Sequence, residues 1–271
     1  MWDFFIYIRF IWIIFKIKTM SEPSIYGQEM FSLPHDVVAI PSKGKFYTQK
    51  KESIKVGYLT AEDENILLSP NQTKDGLIQT LLRNKIYEPG FDINQLIDVD
   101  VQAILIFLRN TSFGSDYIFK IKDPATGRDF EQTILLDELN YIKPELEPSE
   151  DGLFTINLPK SGSVVKCRIL NLGDQKELDK LRESYPPNMT VPVVTKRLEK
   201  QIIELDGDRD REKIVRFVYQ MPIADSKHIR NTMSKCEPKL DLERTIIAPS
   251  GEKVTIDVAF GAEFFRPFFW I

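Results

Sequence analysis

The hydrophobic positions of the chain are densest between residues 98 and 117, and this stretch anchors our prediction of the fold. Ala103 to Leu108 form an unbroken apolar run, which is wider than the apolar stripe of a surface helix. We therefore predict a central helix that is buried on most sides. Its ends suit a helix, with Asp98 or Asp100 at the N-cap, Arg109 near the negative C-terminal end and Gly114 at the exit.

Alternating apolar and polar residues on both sides of this helix predict β-hairpins. The first hairpin pairs Val37–Ile40 with Ile54–Leu59 around the turn Pro41–Gly44. A capping-box pattern at Thr60 and Asp63 then starts a short helix. A second hairpin follows the central helix and consists of residues 117–122, a turn at 123–127 and residues 130–136.

The order of strand, Pro-x-x-Gly turn, strand and capped helix occurs a second time. Leu153–Leu158 and Val164–Leu170 flank the turn Pro159–Gly162, and a capped helix opens at Gly173. We infer two related hairpin-plus-helix modules. Candidate helices follow at residues 174–184, 193–205, 209–220 and 225–234, and a last hairpin pairs 241–248 with 253–258 around Pro249–Gly251.

These elements predict an α+β fold, with β-hairpins packed on a central buried helix and a helical C-terminal half closed by a final β-hairpin. Residues 1–35 are an N-terminal extension and arm. Residues 36–148 form a hairpin plus central-helix domain, and residues 149–271 hold the second hairpin, the helical region and the terminal hairpin. The acidic, proline-broken stretch Glu138–Pro148 reads as the linker between them. Six residues set the turns, namely Pro41, Gly44, Pro159, Gly162, Pro249 and Gly251.

The first 20 residues are very apolar but carry Asp3, Arg9 and Lys16. The uninterrupted core Phe10–Phe15 is far shorter than the roughly 20 apolar residues that a membrane span needs. Three interpretations stay open: an over-extended start with Met20 as the true first residue, a membrane-surface or anchoring helix, or a packed element. A membrane partner is expected only if residues 1–19 are genuine.

Composition is ordinary for a protein with a buried core, because 42% of the 271 residues are hydrophobic and 28% are charged. The formal net charge is −4, so nothing indicates a nucleic-acid partner. Cys167 and Cys236 are far apart in sequence and too few for a disulfide framework. We interpret them as buried free thiols of a chain made in a reducing cytosol.

No catalytic constellation is evident, so we predict no enzyme activity, no cofactor and no metal. His35 and His228 are interpreted as solvated or partner-contacting residues, since neither belongs to a recognisable motif. Asp206, Asp208 and Asp210 surround Gly207, but the spacing departs from that of a calcium loop. The simpler interpretation is an inter-helix loop with helix caps.

Aromatic side chains crowd the end of the sequence, and six exposed aromatics would promote aggregation of a free monomer. They either fold back on their own domain or insert into a neighbouring subunit. Aromatic residues and arginine commonly anchor protein interfaces. The candidate partner-binding residues are therefore Phe260, Phe264, Phe265, Arg266, Phe268 and Phe269.

Four ordered segments together carry a family resemblance: Ile40–Tyr47, Leu59–Glu64, the central helix followed by Ser112–Tyr117, and Glu263–Pro267. The chain resembles the baseplate hub proteins of T-even-like contractile-tailed phages over most of residues 37–267. Some proteins of this type carry Cys-x-x-Cys turns in the hairpin after the central helix and near the C-terminus. This sequence has Asp123–Thr126 and Pro249–Gly251 there, so a four-ligand zinc ribbon is not available. The resemblance therefore implies that turns set by proline and glycine replace metal in holding these hairpins.

The resemblance implies a non-catalytic structural or assembly protein of the virion baseplate, made in the host cytoplasm. Its expected partners are other phage baseplate or tail proteins. The alternative is a cytoplasmic tail-assembly chaperone that never enters the mature particle. A third hypothesis is an enzyme with an unrecognised site, which a deep polar pocket with clustered carboxylates would support.

Overall fold

The structure, a computed structural model, describes residues 34–69, 74–260 and 262–265. Within them the helices are α1 (Ala61–Leu68), α2 (Lys74–Lys85), α3 (Asp98–Phe113), α4 (Leu172–Ser184), α5 (Val193–Gln201), α6 (Arg211–Gln220), α7 (Ile223–Cys236) and the short α8 (Ala262–Phe265). The strands are β1 (His35–Ala39), β2 (Ser53–Gly57), β3 (Asp116–Lys122), β4 (Asp129–Leu135), β5 (Tyr141–Ile142), β6 (Phe154–Asn157), β7 (Val164–Cys167), β8 (Ile202–Leu205), β9 (Lys239–Leu240), β10 (Glu243–Ile247) and β11 (Lys253–Asp257).

The fold is α+β, as predicted, with small antiparallel sheets around the central helix α3. None of the residues 103–108 is exposed, which confirms that this helix is buried on most sides. The predicted caps need a correction at one end. Ile97 is the N-cap, while Asp98 and Asp100 lie in the first turn. Negative charge there interacts favourably with the positive end of the helix dipole. Gly114 is the C-cap, as predicted.

The first hairpin, β1–β2, leads into α1 and α2. The capping box at the start of α1 is confirmed, since the Thr60 amide donates to Asp63 Oδ2 at 2.7 Å. The same Asp63 carboxylate pairs with Lys85 at the end of α2, and both side chains are buried. Leaving either charge unpaired at this buried position would be costly, so this contact joins the end of α2 to the start of α1.

The predicted linker region contains a strand that the sequence did not indicate. Strand β5 pairs with β9, matching Tyr141 with Leu240 and Ile142 with Lys239. A strand of two residues is too short to show alternation of apolar and polar positions, which explains why the sequence pattern did not reveal β5 or β9. The described residues from His35 onward form one compact unit. The predicted boundaries at 35/36 and 148/149 stay predictions, and nearly all of the N-terminal extension lies outside the described residues.

The hairpin of the second hairpin-plus-helix module, β6–β7, belongs to a three-stranded sheet in the order β6-β7-β8. Here the prediction of one helix over 193–205 was wrong at its end. Helix α5 stops at Gln201, and residues 202–205 form β8, in which Ile202 and Glu204 are buried while Ile203 and Leu205 are half-buried. Two neighbouring isoleucines suit a pleated strand, and pairing with β7 outweighed the helical pattern.

The elements after α5 follow the predicted order of two helices and a closing hairpin. Helices α6 and α7 lie close to the predicted ranges, and β10 pairs with β11 in the last hairpin. Buried residues from both hairpin-plus-helix modules join α3 in one hydrophobic core. No helix within the described ranges has the length and apolar content that crossing a membrane requires.

Candidate partner-binding site

Three of the predicted partner-binding aromatics lie inside the chain's own core. Phe260, Phe264 and Phe265 are all buried. The ring centroids of Phe260 and Phe264 are 4.8 Å apart, Phe264 and Phe265 meet edge to face at 5.1 Å, and Tyr117 of β3 lies 5.5 Å from Phe264. Aromatic pairs prefer such tilted arrangements. These three residues therefore fold back on the domain.

The other three residues of that prediction, Arg266, Phe268 and Phe269, lie outside the described residues. The partner-binding role of the six residues stays a prediction. With Phe260, Phe264 and Phe265 buried as they are here, they could contact a partner only if the end of the chain moved away from α3.

A buried arginine, whose role the sequence did not predict, holds this aromatic segment to the central helix. Arg109 is fully buried. Its Nε donates to the Phe264 carbonyl at 3.0 Å, its Nη1 to the Gly114 carbonyl at 2.7 Å and its Nη2 to the Asp116 carbonyl at 3.0 Å. Burial lowers the pKa of its guanidinium from the ordinary value. Arg109 thus ties together the end of α3, the start of β3 and the last helix.

The first Pro-x-x-Gly turn is bound by a buried carboxylate of the central helix. Asp100 Oδ1 accepts the Ser42 amide at 2.9 Å, and Asp100 Oδ2 accepts the Tyr47 hydroxyl. That hydroxyl in turn accepts the Ile97 amide at 3.1 Å. Burial raises the pKa of Asp100, and burial together with the neighbouring Asp100 charge raises the pKa of Tyr47. This network attaches the turn Pro41–Gly44 to the start of α3.

Gly44 is the turn residue with the least room. Its φ is +68°, and an added Cβ would lie 2.5 Å from the Lys50 carbonyl carbon and the Lys51 oxygen. Gly127 has nearly the same φ, +67°, but its Cβ would meet nothing within 4 Å. Alanine substitutions at Gly44 and Gly127 therefore separate the cost of backbone strain from the cost of steric overlap.

We expect Gly44→Ala to lower the free energy of unfolding by about 3 kcal/mol and Gly127→Ala by only about 1, because the left-handed backbone costs both while overlap costs the first alone. Urea titration followed by circular dichroism measures both values. Equal losses would contradict the steric argument.

The turn of the second module is held in the same way, by a carboxylate of α7. Asp225 is buried and accepts the amides of Lys160 and Ser161, each at 2.8 Å. Burial works to raise the pKa of Asp225, but these backbone hydrogen bonds outweigh it and hold the pKa below the ordinary value. The turn Pro159–Gly162 is thereby fixed against the helical half of the chain.

We expect Asp225→Asn to lower the melting temperature by several degrees at pH 7, because one of the two amides would then face an NH₂ group instead of an oxygen. Since the folded pKa is depressed, the wild-type carboxylate contributes stability above the ordinary aspartate pKa of about 3.9 and loses it as the pH falls further. The difference between variant and wild type should therefore shrink toward pH 3. Melting curves at both pH values test this; a constant difference would contradict it.

A third buried carboxylate joins the turns of the hairpins β3–β4 and β10–β11. Asp123 lies in the β3–β4 turn and accepts the amides of Ala125 and Thr126 at 3.0 and 3.3 Å. Its second oxygen accepts the Ser250 amide of the β10–β11 turn at 3.0 Å. The two turns therefore lie together, and a carboxylate connects them. Each of the turns Pro41–Gly44, Pro159–Gly162 and Pro249–Gly251 is thus bound by an aspartate from elsewhere in the chain.

The described residues contain no cluster of three or more histidine, cysteine or acidic residues that could hold a metal ion. The aspartates around Gly207 accept backbone amides: Asp206 that of Val164 in β7, Asp208 that of Asp210 and Asp210 that of Glu212. Asp210 is the N-cap of α6, as the sequence suggested, but the loop connects β8 to α6 rather than two helices.

Cys167 and Cys236 are free and buried, as predicted. Burial raises the pKa of the Cys167 thiol to about 12 and that of Cys236 to about 11. Because the thiolate is the nucleophilic form, neither residue is a reactive cysteine at neutral pH.

A cleft of about 640 Å³ lies between α2, α3 and α4. Its acidic residues include Asp179 and Glu183, which alternate along α4 with Lys176 and Lys180. Asp179 also forms an ion pair with Arg182 at 2.6 Å. Mixed charge along one helix is typical of a solvated face rather than of paired catalytic carboxylates.

Large apolar side chains are exposed away from this cleft. Ile223 is 83% exposed, Ile247 68% and Val37 62%. Met189 and Tyr219 are also mostly exposed. Single exposed apolar residues are ordinary on a protein surface, so these residues do not by themselves indicate a binding site.

Comparison with known families identifies the kind of protein. A family model described as T4 bacteriophage base plate protein matches residues 35–266. No curated protein and no solved structure gives a significant match. The match spans most of the chain and includes the central helix, both hairpin-plus-helix modules and the three anchored turns. The chain therefore belongs to the family of T4 bacteriophage base plate proteins.

Proposed function

We propose that this chain is a structural or assembly protein of the baseplate hub, which acts by contacting other baseplate proteins and performs no catalysis. The observation that carries the proposal is the family match over residues 35–266, which is nearly all of the described fold. The finer assignment to the hub rests on the resemblance of the segments around Pro41–Gly44 and Ser112–Tyr117 to hub proteins.

Features of the surface support a role in protein contacts. The ribbons β1–β2, β3–β4 and β10–β11 are each two-stranded, so among the described residues they have strand edges without a partner. Ile247 and Val37 add exposed apolar side chains to two of these ribbons. Unpaired edges are sites where another chain can add a strand.

The protein content of purified virions distinguishes a structural role from that of a chaperone. Quantitative mass spectrometry of purified particles should detect this chain at a constant ratio to known baseplate proteins. If the chain accumulates in infected cells but is absent from purified particles, it acts as a tail-assembly chaperone and the structural proposal is wrong.

A further inference from the structure

Two hairpin ribbons of this fold border a slit. The ribbon β3–β4 and the ribbon β10–β11 are connected at their tips by the Asp123–Ser250 hydrogen bond. At the other end β5 pairs with β9, and the Asp241 amide donates to the Asn140 carbonyl at 2.8 Å. Beside the second junction lies a cleft of about 480 Å³, lined by Asn140 and Asp241 of that junction and by residues of β4 and β10, which we call the slit. Among the described residues neither β4 nor β10 pairs with a third strand.

The hydrogen-bond register of β3–β4 shows which backbone groups of β4 face the slit. The Asp123 amide donates to the Arg128 carbonyl, and the Leu136 amide donates to the Ser115 carbonyl. Both bonds continue the ladder of this hairpin, and hydrogen-bonded pairs alternate with non-hydrogen-bonded pairs along an antiparallel ladder. Thr133 and the residues two positions before and after it along β4 therefore direct their backbone N–H and C=O groups away from β3.

The same argument applies to β10. The Ala248 amide donates to the Glu252 carbonyl and the Val258 amide to the Leu242 carbonyl, so Thr245 and its second neighbours direct their backbone groups away from β11. Thr133, Leu135 and Thr245 all line the slit. Two of the carbonyls on these edges already have partners: Thr133 O accepts from Gln132 Nε2 at 3.4 Å, and Glu243 O accepts from Arg244 Nη1 at 2.7 Å. Among the described residues, the amides of Thr133, Leu135 and Thr245 have no acceptor outside the ladders of their own hairpins.

We propose that an extended segment of another baseplate protein enters the slit as a strand, between β4 and β10, and joins the two ribbons into one five-stranded sheet. The inference rests on the proposed function, because it names the kind of contact that a baseplate partner makes. Alternate side chains of the incoming strand would pack on Ile134 and Ile246, which lie on the more buried faces of the two ribbons. Apolar residues are therefore required at every second position.

The charges around the slit favour a basic partner segment. Glu138 and Asp241 are the acidic residues that line the slit, and Arg244 is the cation among the lining residues. Arg244 is already paired with Asp241 at 3.2 Å. The exposed Glu138, together with the exposed Glu243 at the start of β10, leaves this end of the slit negative. Lysine or arginine on the solvent-facing positions of the incoming strand would complement this negative end.

Amide hydrogen exchange tests the inference directly. The exchange of the full chain alone is compared with that of the chain in baseplates isolated from the phage. Insertion predicts that the amides of Thr133, Leu135 and Thr245 exchange more slowly in the baseplate, while those of Ile118 and Thr255, on the outer edges of the same ribbons, do not slow. Equal slowing on inner and outer edges, or no slowing at Thr133 and Thr245, would overturn it.

Proline substitution provides a matched functional test. Thr245 and Thr255 face each other in one non-hydrogen-bonded pair, so Thr245→Pro removes an amide that faces the slit and Thr255→Pro removes one that faces the opposite edge. Thr133→Pro and Ile118→Pro form the same contrast in the other ribbon. For variants that melt as the wild type does, we expect loss of complementation of a nonsense-mutant phage for Thr133→Pro and Thr245→Pro alone. Normal complementation by both slit variants would contradict insertion.

Failure of this inference is distinguishable from failure of the proposed function. If the chain is present in baseplates but its slit amides exchange as fast as in the free chain, only the strand insertion is wrong. If the chain is absent from baseplates, the proposed function itself fails. If the purified chain alone sediments as a dimer with protected Thr133 and Thr245 amides, the occupant is a second copy, and the assignment to a different protein is wrong.

Discussion

Replacement of Arg109 by methionine will lower the free energy of unfolding by about 4 kcal/mol, since the buried Phe264 carbonyl that loses its donor costs about 1–3 kcal/mol and the two part-buried hydrogen bonds to Gly114 and Asp116 contribute about 1 kcal/mol each. Methionine fills much of the space but cannot donate to the carbonyls of Phe264, Gly114 and Asp116. The aromatic segment around Phe264 should then detach before the rest of the fold. Urea unfolding measures the stability, and limited proteolysis near residue 260 measures the detachment.

Two further variants make this prediction specific. Arg109→Lys keeps the charge but lacks the planar fork of donors, so its loss should be intermediate. Arg83 is an exposed arginine near the end of α2, and Arg83→Met should change stability by less than about 0.5 kcal/mol. If Arg109→Met behaved like Arg83→Met, the idea that Arg109 fastens the last helix to α3 would be wrong.

Replacement of Asp100 by leucine will lower the free energy of unfolding by about 3 kcal/mol, because the buried Ser42 amide and Tyr47 hydroxyl would both lose their acceptor. Asp100→Asn keeps an oxygen for the Ser42 amide and can donate to the Tyr47 hydroxyl. Its loss should be about 1 kcal/mol, the value of an ordinary hydrogen bond. Chemical unfolding of both variants at pH 7 measures the difference, and equal losses would contradict the network.

The pH dependence of Asp100 should have the opposite sign to that of Asp225. Burial raises the pKa of Asp100, so the folded state retains a proton that the unfolded chain has already released. Its contribution is therefore complete below the ordinary pKa of about 3.9 and is lost as the pH rises above it. The deficit of Asp100→Asn relative to wild type should shrink from pH 3 to pH 7, whereas that of Asp225→Asn should grow.

The elements predicted best from the sequence were those whose apolar pattern extends over many positions. The run 103–108 has six consecutive apolar residues, and the central helix was found with its C-cap at Gly114. The paired strands of the β3–β4 and β10–β11 hairpins were found because alternation continued up to turns that contain proline and glycine. Strands β5, β8 and β9 are two to four residues long, and pairing with distant strands determined them.

The contacts of the buried polar residues were harder to predict from the sequence. Arg109 follows directly after an apolar run, and this position could have indicated that its side chain is buried. Its three carbonyl partners, however, come from segments that only the folded chain brings together. Asp123 and Ser250 are 127 positions apart, and Asp225 and Lys160 are 65 apart. Periodicity describes local structure, and such contacts depend on the topology of the whole domain.

The assembly role depends on one measurement above the others. A nonsense mutation in the gene for this chain, introduced into its phage, should abolish complete baseplates in electron micrographs of infected-cell lysates, and the wild-type chain supplied from a plasmid should restore them. Normal numbers of complete baseplates in the absence of the chain would contradict the claim that it acts in baseplate assembly through its protein contacts.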